Sequence, residues 1–464
     1  MPTTVTNQPQ SNKLCSTLVP LTITVVDTVA DTTNIIAKCY YEDTGGTDVQ
    51  IGGEYRLAPN LDFPDYFYFD SSEIFNTLTK YTLADMPGMT IGNWSGGMVN
   101  TIRVWDDIAT WKVRVMFQRE FINSQGLVEI DPTPYYSNYF YIHEGCPPRK
   151  WLGSLVSNNG LNNTIFKYYM LNYNQYENGK HYLTNYPIEG VGSRMSYNVN
   201  IRPTESFMVA WYSPPANPQG YQFQISTYDE GYNTNFNNHT VPVNTNRAMQ
   251  TGMIGMRDVI DGLTPNGSEG ADFINVVNYR VRMLCCTNNS APCTYGTSAI
   301  DWKFKVDRTC VGKGYLRFAF KNMLGGYDLV SSTGAYQVKV KNKFSDFQKS
   351  QGYTKWANQM SFGEQNWANE NIEVFTVTTQ PMKRKFADHF AEMFSSVDVY
   401  LRDNNDSYLQ IADPDQSERA REQPYYFNPI KIKGATIEKW RTTNNMVKMK
   451  FTFERSINQR NPRY

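Results

Sequence analysis

Histidine is scarce in this chain of 464 residues, with only four: His143, His181, His239 and His389. Hydrolytic triads and catalytic metal sites draw on imidazole because it titrates near neutrality. None of the four lies in a His-Glu-x-x-His motif, and none follows a Gly-x-Ser-x-Gly elbow. Long apolar runs are missing too, and nothing approaches the roughly 18 residues of a membrane-spanning helix. Nor is there an excess of charge, since lysine plus arginine and aspartate plus glutamate both number 44. Whole-protein attraction to nucleic acid or anionic lipid needs surplus positive charge, so a membrane is not an expected partner. Charged residues make up only 19% of the chain, fewer than a soluble monomeric surface usually carries.

The cysteines are odd in number and irregularly spaced: Cys15, Cys39, Cys146, Cys285, Cys286, Cys293 and Cys310. The chain does not open on a basic stretch followed by an apolar core, so no export signal is read and reduced thiols are expected. The sequons at Asn162-Asn163-Thr164 and Asn266-Gly267-Ser268 then carry no meaning. Cys285, Cys286, Cys293 and Cys310 are the set that could offer four thiolates to zinc. They lack the paired Cys-x-x-Cys knuckles that present two ligands on one turn. Cys285 and Cys286 would also point to opposite faces of a continuing strand. Free thiols are the expectation, with no metal and no cofactor assigned.

Acid pairs for glycoside hydrolysis are available at Asp106-Asp107, Asp413/Asp415 and Glu418/Glu422, but nothing separates them from turn and surface acids. Gly96-Gly97 and Gly325-Gly326 lack the lysine and helix start that a phosphate loop requires. No catalytic residue is assigned, and the chain is read as not an enzyme.

What the chain has in abundance is aromatic residues, at 14% with 32 tyrosines, and period-two alternation. Leu21, Ile23 and Val25 alternate with threonines, and Trp111, Val113, Val115 and Phe117 with Lys112, Arg114 and Met116. Tyr221, Phe223 and Ile225 follow the same rule, as do Tyr279, Val281 and Met283. So do Trp302, Phe304 and Val306, then Leu316, Phe318 and Phe320, and finally Val447, Met449, Phe451 and Phe453. Strands with one apolar face predict a mainly β fold of antiparallel sandwich-type domains.

Two short helices are expected. Asp70 and Glu73 have capping-box spacing ahead of Ile74, Phe75, Leu78 and Tyr81. Pro381 suits a helix first turn, and Phe386, Phe390, Met393 and Phe394 make one apolar stripe over residues 380–395. Breaks at Glu144-Gly145-Cys146-Pro147-Pro148 and Leu324-Gly325-Gly326-Tyr327 predict three units: 1–145, 146–324 with long loops, and 325–464 with one helix. Ser213–Gly220 reads as a turn or crossover and the Asn/Thr-rich stretch from Tyr232 to Thr245 as an exposed loop. Both loops are expected to be disordered in a free subunit and to contact neighbouring proteins.

Charge is segregated near the end. From Lys431 onward the basic residues Lys433, Lys439, Arg441, Lys448, Lys450, Arg455, Arg460 and Arg463 face only Glu438 and Glu454, after a mostly acidic stretch from Asp398 to Glu422. Solvated strand faces that neutralise each other would explain this. So would an inter-subunit contact, or a lumen surface facing DNA.

The segment Leu316–Asp328 carries the pattern aromatic-x-Asn-x-x-Gly-Gly-aromatic-Asp from Phe320 to Asp328. It resembles a strand-turn signature in tail-region proteins of phages infecting Bacteroidetes, including crAss-like phages. Two flanking features look similar: Arg56-Leu57-Ala58-Pro59-Asn60 ahead of Phe69–Ile74, and the helix around Phe386–Phe394 running through Ser395-Ser396 into Val397–Leu401. The chain departs from the pattern just before Asn322, where Phe320-Lys321 stands in place of Trp or Leu, and in the stretch 227–278. The resemblance implies a virion structural subunit in an oligomeric ring of a short-tailed phage's tail barrel or collar, made in the bacterial cytoplasm. Its implied partners are copies of itself, other tail, portal or collar proteins, and packaged DNA by non-specific contact. The competing expectation is a head or tail fibre that recognises surface glycans through exposed Tyr and Trp. In either case the Asn322–Asp328 turn has a local logic: a Gly pair permits positive φ and close backbone approach, and Asn322 and Asp328 can bond nearby backbone.

Overall fold

A computed structural model describes residues 3–9, 11, 14–18, 20–43, 45–80, 103–106, 110–145, 170–171, 188–189, 196–201, 206–212, 221–229, 234–241, 249–255, 276–286, 295–296, 301–306, 316–348, 364–402, 427–439, 446–455 and 459–461. Over these residues the fold is mainly β with two short α-helices, as the alternation predicts. Among the described residues no helix is long and apolar enough to cross a membrane. The chain divides into two compact units, Met1–Arg308 with Asn322–Asp328, and Thr309–Lys321 with Leu329–Tyr464. The breaks read after residues 145 and 324 do not coincide with these bounds.

The first unit opens with β1 (Thr4–Asn7), β2 (Leu14–Ser16), β3 (Thr22–Val26), β4 (Thr32–Glu42), β5 (Asp48–Leu57), β6 (Tyr66–Asp70) and α1 (Ser72–Thr79). Next come β7 (Arg103–Asp106), β8 (Trp111–Ile122), β9 (Val128–Ile130), β10 (Tyr135–Tyr136), β11 (Phe140–His143) and β12 (Met170–Leu171). One sheet has the order β1-β3-β6; the other runs β12-β2-β11-β8-β4-β5, with β9 and β10 beside β8. Their inner faces share one core, in which Ile23 and Val25 of β3 and Phe67 and Phe69 of β6 join Ile35, Cys39, Val115 and Phe117 of the larger sheet. Each fully buried side chain of this kind stabilises by roughly 1.5–3 kcal/mol, so the two sheets hold together as a sandwich.

Helix α1 belongs to that core through Phe75, which meets Phe140 edge to face at 5.9 Å. The Asp70 carboxylate accepts the N–H groups of Leu21 at 2.9 Å and Ser72 at 3.0 Å. The expected capping box is not formed, because the helix N-cap is Ser71 and makes no side-chain cap bond. Trp111 Nε1 donates to the Leu78 carbonyl at 3.0 Å, tying the helix's last turn to β8. Tyr81 lies outside the described residues.

The rest of the unit comprises β13 (Ile188–Glu189), β14 (Ser196–Ile201), β15 (Ser206–Tyr212), β16 (Tyr221–Asp229) and β17 (Thr234–Val241). It continues with β18 (Met249–Gly255), β19 (Val276–Cys286), β20 (Tyr295–Gly296) and β21 (Asp301–Val306). A sheet of order β13-β14-β21-β19-β16-β17 buries Trp302 and Phe304, while β15, β18 and β7 form a smaller one. The stretch read as a loop from Tyr232 to Thr245 contains β17, which pairs antiparallel with β16 from Tyr221–Val241 to Tyr228–Thr234. The Asn-rich composition of β17 hides its alternation. Ser213–Gly220 lies outside the described residues. Among the described residues β11 pairs parallel with β2 and β14 with β21, while most pairings are antiparallel as expected.

The second unit holds β22 (Leu316–Lys321), β23 (Tyr327–Ser332) from Leu329 onward, β24 (Ala335–Gln348), β25 (Glu364–Thr378) and β26 (Met382–Lys383). After α2 (Arg384–Glu392) come β27 (Val399–Arg402), β28 (Phe427–Lys439), β29 (Met446–Arg455) and β30 (Gln459–Asn461). The sheet order is β23-β22-β27-β28-β29-β25-β24. Phe390 and Met393 of the helical segment share a core with Phe318, Phe375, Phe451 and Phe453, as the apolar stripe predicts. The helix begins at Arg384, not 380, because Met382 and Lys383 pair with Val447 and Met446 and so stay extended. Strand β22 is also less one-sided than its alternation: Arg317, Ala319 and Lys321 are buried along with Phe318 and Phe320.

The turn after β22 makes the bonds expected of Asn322. Asn322 Oδ1 accepts the N–H groups of Leu324 at 2.9 Å and Gly326 at 3.1 Å. Gly325 sits at φ +89, the left-handed region that costs glycine least.

Candidate functional surfaces

His143 is buried, with Nδ1 3.3 Å from the Cys15 carbonyl. His389 is buried against the Phe320 ring at 5.5 Å, His239 lies in β17, and His181 is outside the described residues. Cys285 and Cys286 are successive positions of β19, opposite Gly296 and Tyr295; Cys293 and Cys310 are outside the described residues. Among the described residues no three His, Cys, Asp or Glu side chains are grouped to hold a metal ion. Burial pushes the Cys39 thiol up to about 12 and raises that of Cys15 as well, which keeps both protonated and poor nucleophiles. Of the candidate acid pairs only Asp106 is described, in β7.

The outer face of the eight-stranded sheet carries a different chemistry. Because Val113, Val115 and Phe117 of β8 point into the core, Lys112, Arg114 and Met116 point out. Cross-strand register then places Tyr40 opposite Arg114, Tyr141 opposite Lys112, Tyr136 opposite Met116 and Glu42 opposite Asp48. Every lysine and arginine in the middle of this face meets a carboxylate: Lys38 with Glu54, Lys112 with Glu42, Arg114 with Asp48. The Arg114 guanidinium lies 4.2 Å from the Tyr136 ring centre and 4.6 Å from that of Tyr139, and Lys112 Nζ is 4.5 Å from the latter. Tyr139 Oη is 3.1 and 3.2 Å from the two Asp48 carboxylate oxygens. Burial first, and then this hydrogen bond, push the Tyr139 hydroxyl up to about 12; burial raises Tyr40 too. The phenols therefore remain neutral donors at physiological pH. The face is a charge-balanced tyrosine layer.

Single residues gave no sign of it in the sequence. Alternation exposes Lys112 and Arg114, but their acids come from β4 and β5, about 70 positions away in chain order.

A second charged face lies on the second unit's sheet. Pairing of Lys339 with Val374, of Val374 with Glu454, and of Glu454 with Lys431 puts these residues on one side. Lys341 and Lys450 share that side, and all four lysines are exposed. The C-terminal charge noted in the sequence is partly neutralised within the sheet: Lys433 Nζ is 2.8 Å from Glu454, and Arg455 Nε is 3.3 Å from Glu373.

No family model matches the chain. A protein of Arabidopsis thaliana described as an F-box protein is 38% identical over 56 residues, 12% of this chain and 34% of that protein. The chain thus spans about a third of that relative's length. The crystal structure of squid arrestin aligns with 66% of this chain and 94% of that chain at 10% identity, with a TM-score of 0.16. Overlap at that level carries no argument about fold or function.

Proposed function

We propose that this chain is a non-enzymatic structural subunit that assembles with copies of itself and other subunits. In its specific form, the chain is a virion protein made in the bacterial cytoplasm, one member of an oligomeric ring in the tail barrel or collar of a short-tailed phage. The observation that carries the assembly reading is the tyrosine–arginine face of the eight-stranded sheet. Interfaces are enriched in Tyr, Arg and Met, and their energy concentrates in aromatic and arginine anchors. A face whose ions are already paired loses less on being covered, because each charge keeps its partner when water leaves. The turn signature at Phe320–Asp328 supports the phage setting.

Mass spectrometry of purified virions, with negative-stain imaging of the isolated protein at micromolar concentration, tests this. The expected result is stoichiometric presence in particles and multi-copy assemblies. A chain absent from every particle, or a turnover activity abolished by changing one carboxylate or thiol, would refute it.

The same face supports a second reading, glycan recognition by a fibre protein. Exposed Tyr136 beside the Arg114–Asp48 pair offers both an aromatic platform and hydrogen-bonding groups. Binding on a glycan array that disappears in Tyr136→Ala would favour that reading over assembly.

A further inference from the structure

Several large exposed apolar side chains of the first unit lie at one end of its sandwich. Leu61 and Phe63 come from the β5–β6 connection, Tyr66 from the start of β6, and Leu127, Val128 and Ile130 from the β8–β9 hairpin; Leu61 is 101% exposed. Both segments are tied to the β3–β4 connection: Asp27 N–H donates to the Asp65 carbonyl at 2.9 Å, and Ile122 N–H to that of Asp31 at 3.3 Å. Clustered apolar exposure of this kind marks a contact site, whereas single exposed residues do not.

The rim of this end is acidic. Asp31, Asp62, Asp65 and Glu129 are exposed. The arginines that reach it are occupied: Arg56 lies 3.2 Å from Glu120, and Arg119 3.5 Å from Asp131. The second unit presents the complement. Among the described residues β24 is the outermost strand of its sheet, paired only with β25. One of its faces exposes Lys339 and Lys341 on the lysine side already described, and the other exposes Tyr336, Val338 and Val340. Lysines on an edge strand discourage indiscriminate sheet pairing, and an acidic partner removes that obstacle.

We propose that the acidic, apolar loop end of the first unit in one copy straddles the β24 edge of the second unit in the next copy. The carboxylates meet Lys339 and Lys341, while Leu61, Phe63 and the β8–β9 tip cover the apolar side of β24. The contact is heterologous, so repetition closes a ring or extends a filament. It rests on the assembly reading and adds a contact distinct from the tyrosine–arginine face.

Sedimentation velocity of the full chain at about 0.05 M and about 0.5 M salt tests it, because screening shortens the reach of the attraction. Multi-copy species are expected at low salt, with loss of association at high salt. The double variants Lys339→Glu/Lys341→Glu and Asp62→Lys/Asp65→Lys should each weaken association by at least about tenfold. An equimolar mixture of the two should regain it, since each then offers the other a complementary surface at both contacts. Unchanged melting curves show that both variants fold. Association that survives both reversals overturns this contact and leaves the assembly reading standing. A wild-type chain that stays monomeric overturns the contact too, and its presence or absence in virions then decides the broader reading separately. Reversal of the lysines that abolishes only retention of duplex DNA assigns the basic face to nucleic acid and also overturns the proposal.

Discussion

Gly325 lies so close to Glu144 that a Cβ built on it would stand 2.1 Å from the Glu144 carbonyl oxygen. The approach is reciprocal, since a Cβ on Gly145 would stand 2.2 Å from the Leu324 carbonyl oxygen. Two glycines far apart in sequence thus let two backbone segments touch. Gly325→Ala is expected to cost about 3 kcal/mol or more, the sum of a left-handed residue's penalty and forced backbone displacement. Gly126→Ala is the control: φ is +79 but nothing lies within 4 Å of its Cβ, so only about 1–2 kcal/mol should be lost. Denaturant midpoints measure both, and equal losses would mean that close approach is not what the glycine at 325 serves.

Trp111→Phe removes the donor to the Leu78 carbonyl and leaves an aromatic ring for Tyr41, whose centroid is 5.1 Å away. The expected loss is about 1 kcal/mol. It should appear as faster amide exchange over 72–79, with the rest of the sandwich unchanged.

Tyr139 makes a pH prediction with a defined sign. Its folded value of about 12 stands above the ordinary value of 10.0, so below pH 10 both folded and unfolded chains hold the proton and the contribution to stability is whole. Between pH 10 and 12 only the unfolded chain ionises, and stability falls. Asp48→Asn removes the charged acceptor, so phenolate absorbance should show one tyrosine titrating at lower pH. A titration curve that does not move would place the cause in burial alone.

Cys15 and Cys39 are buried free thiols with raised values. In the native protein near pH 8 neither should be alkylated, and both should react once denaturant is added. Native labelling of Cys39 would contradict its place in the sandwich core.

The β character and most core strands are legible in the sequence. Val113, Val115 and Phe117, and Val447, Met449, Phe451 and Phe453, alternate in sequence and are buried in the fold, because a pleat repeats every two residues and needs no distant information. The α2 stripe was equally local. Where the reading failed, a distant strand decided: β16 drew the Asn-rich stretch after Tyr232 into a hairpin, and β29 held Met382 and Lys383 extended ahead of α2.

By itself, then, the sequence determined the periodicity, the helix stripes and the chemistry of the Asn322–Gly326 turn, all properties of neighbours along the chain. Tertiary structure alone decided which acid meets Arg114, which carbonyl Gly325 must approach and which apolar loops share one end of the sandwich. Those outcomes depend on strand order and register, and register is set by contacts between residues that the chain order keeps far apart.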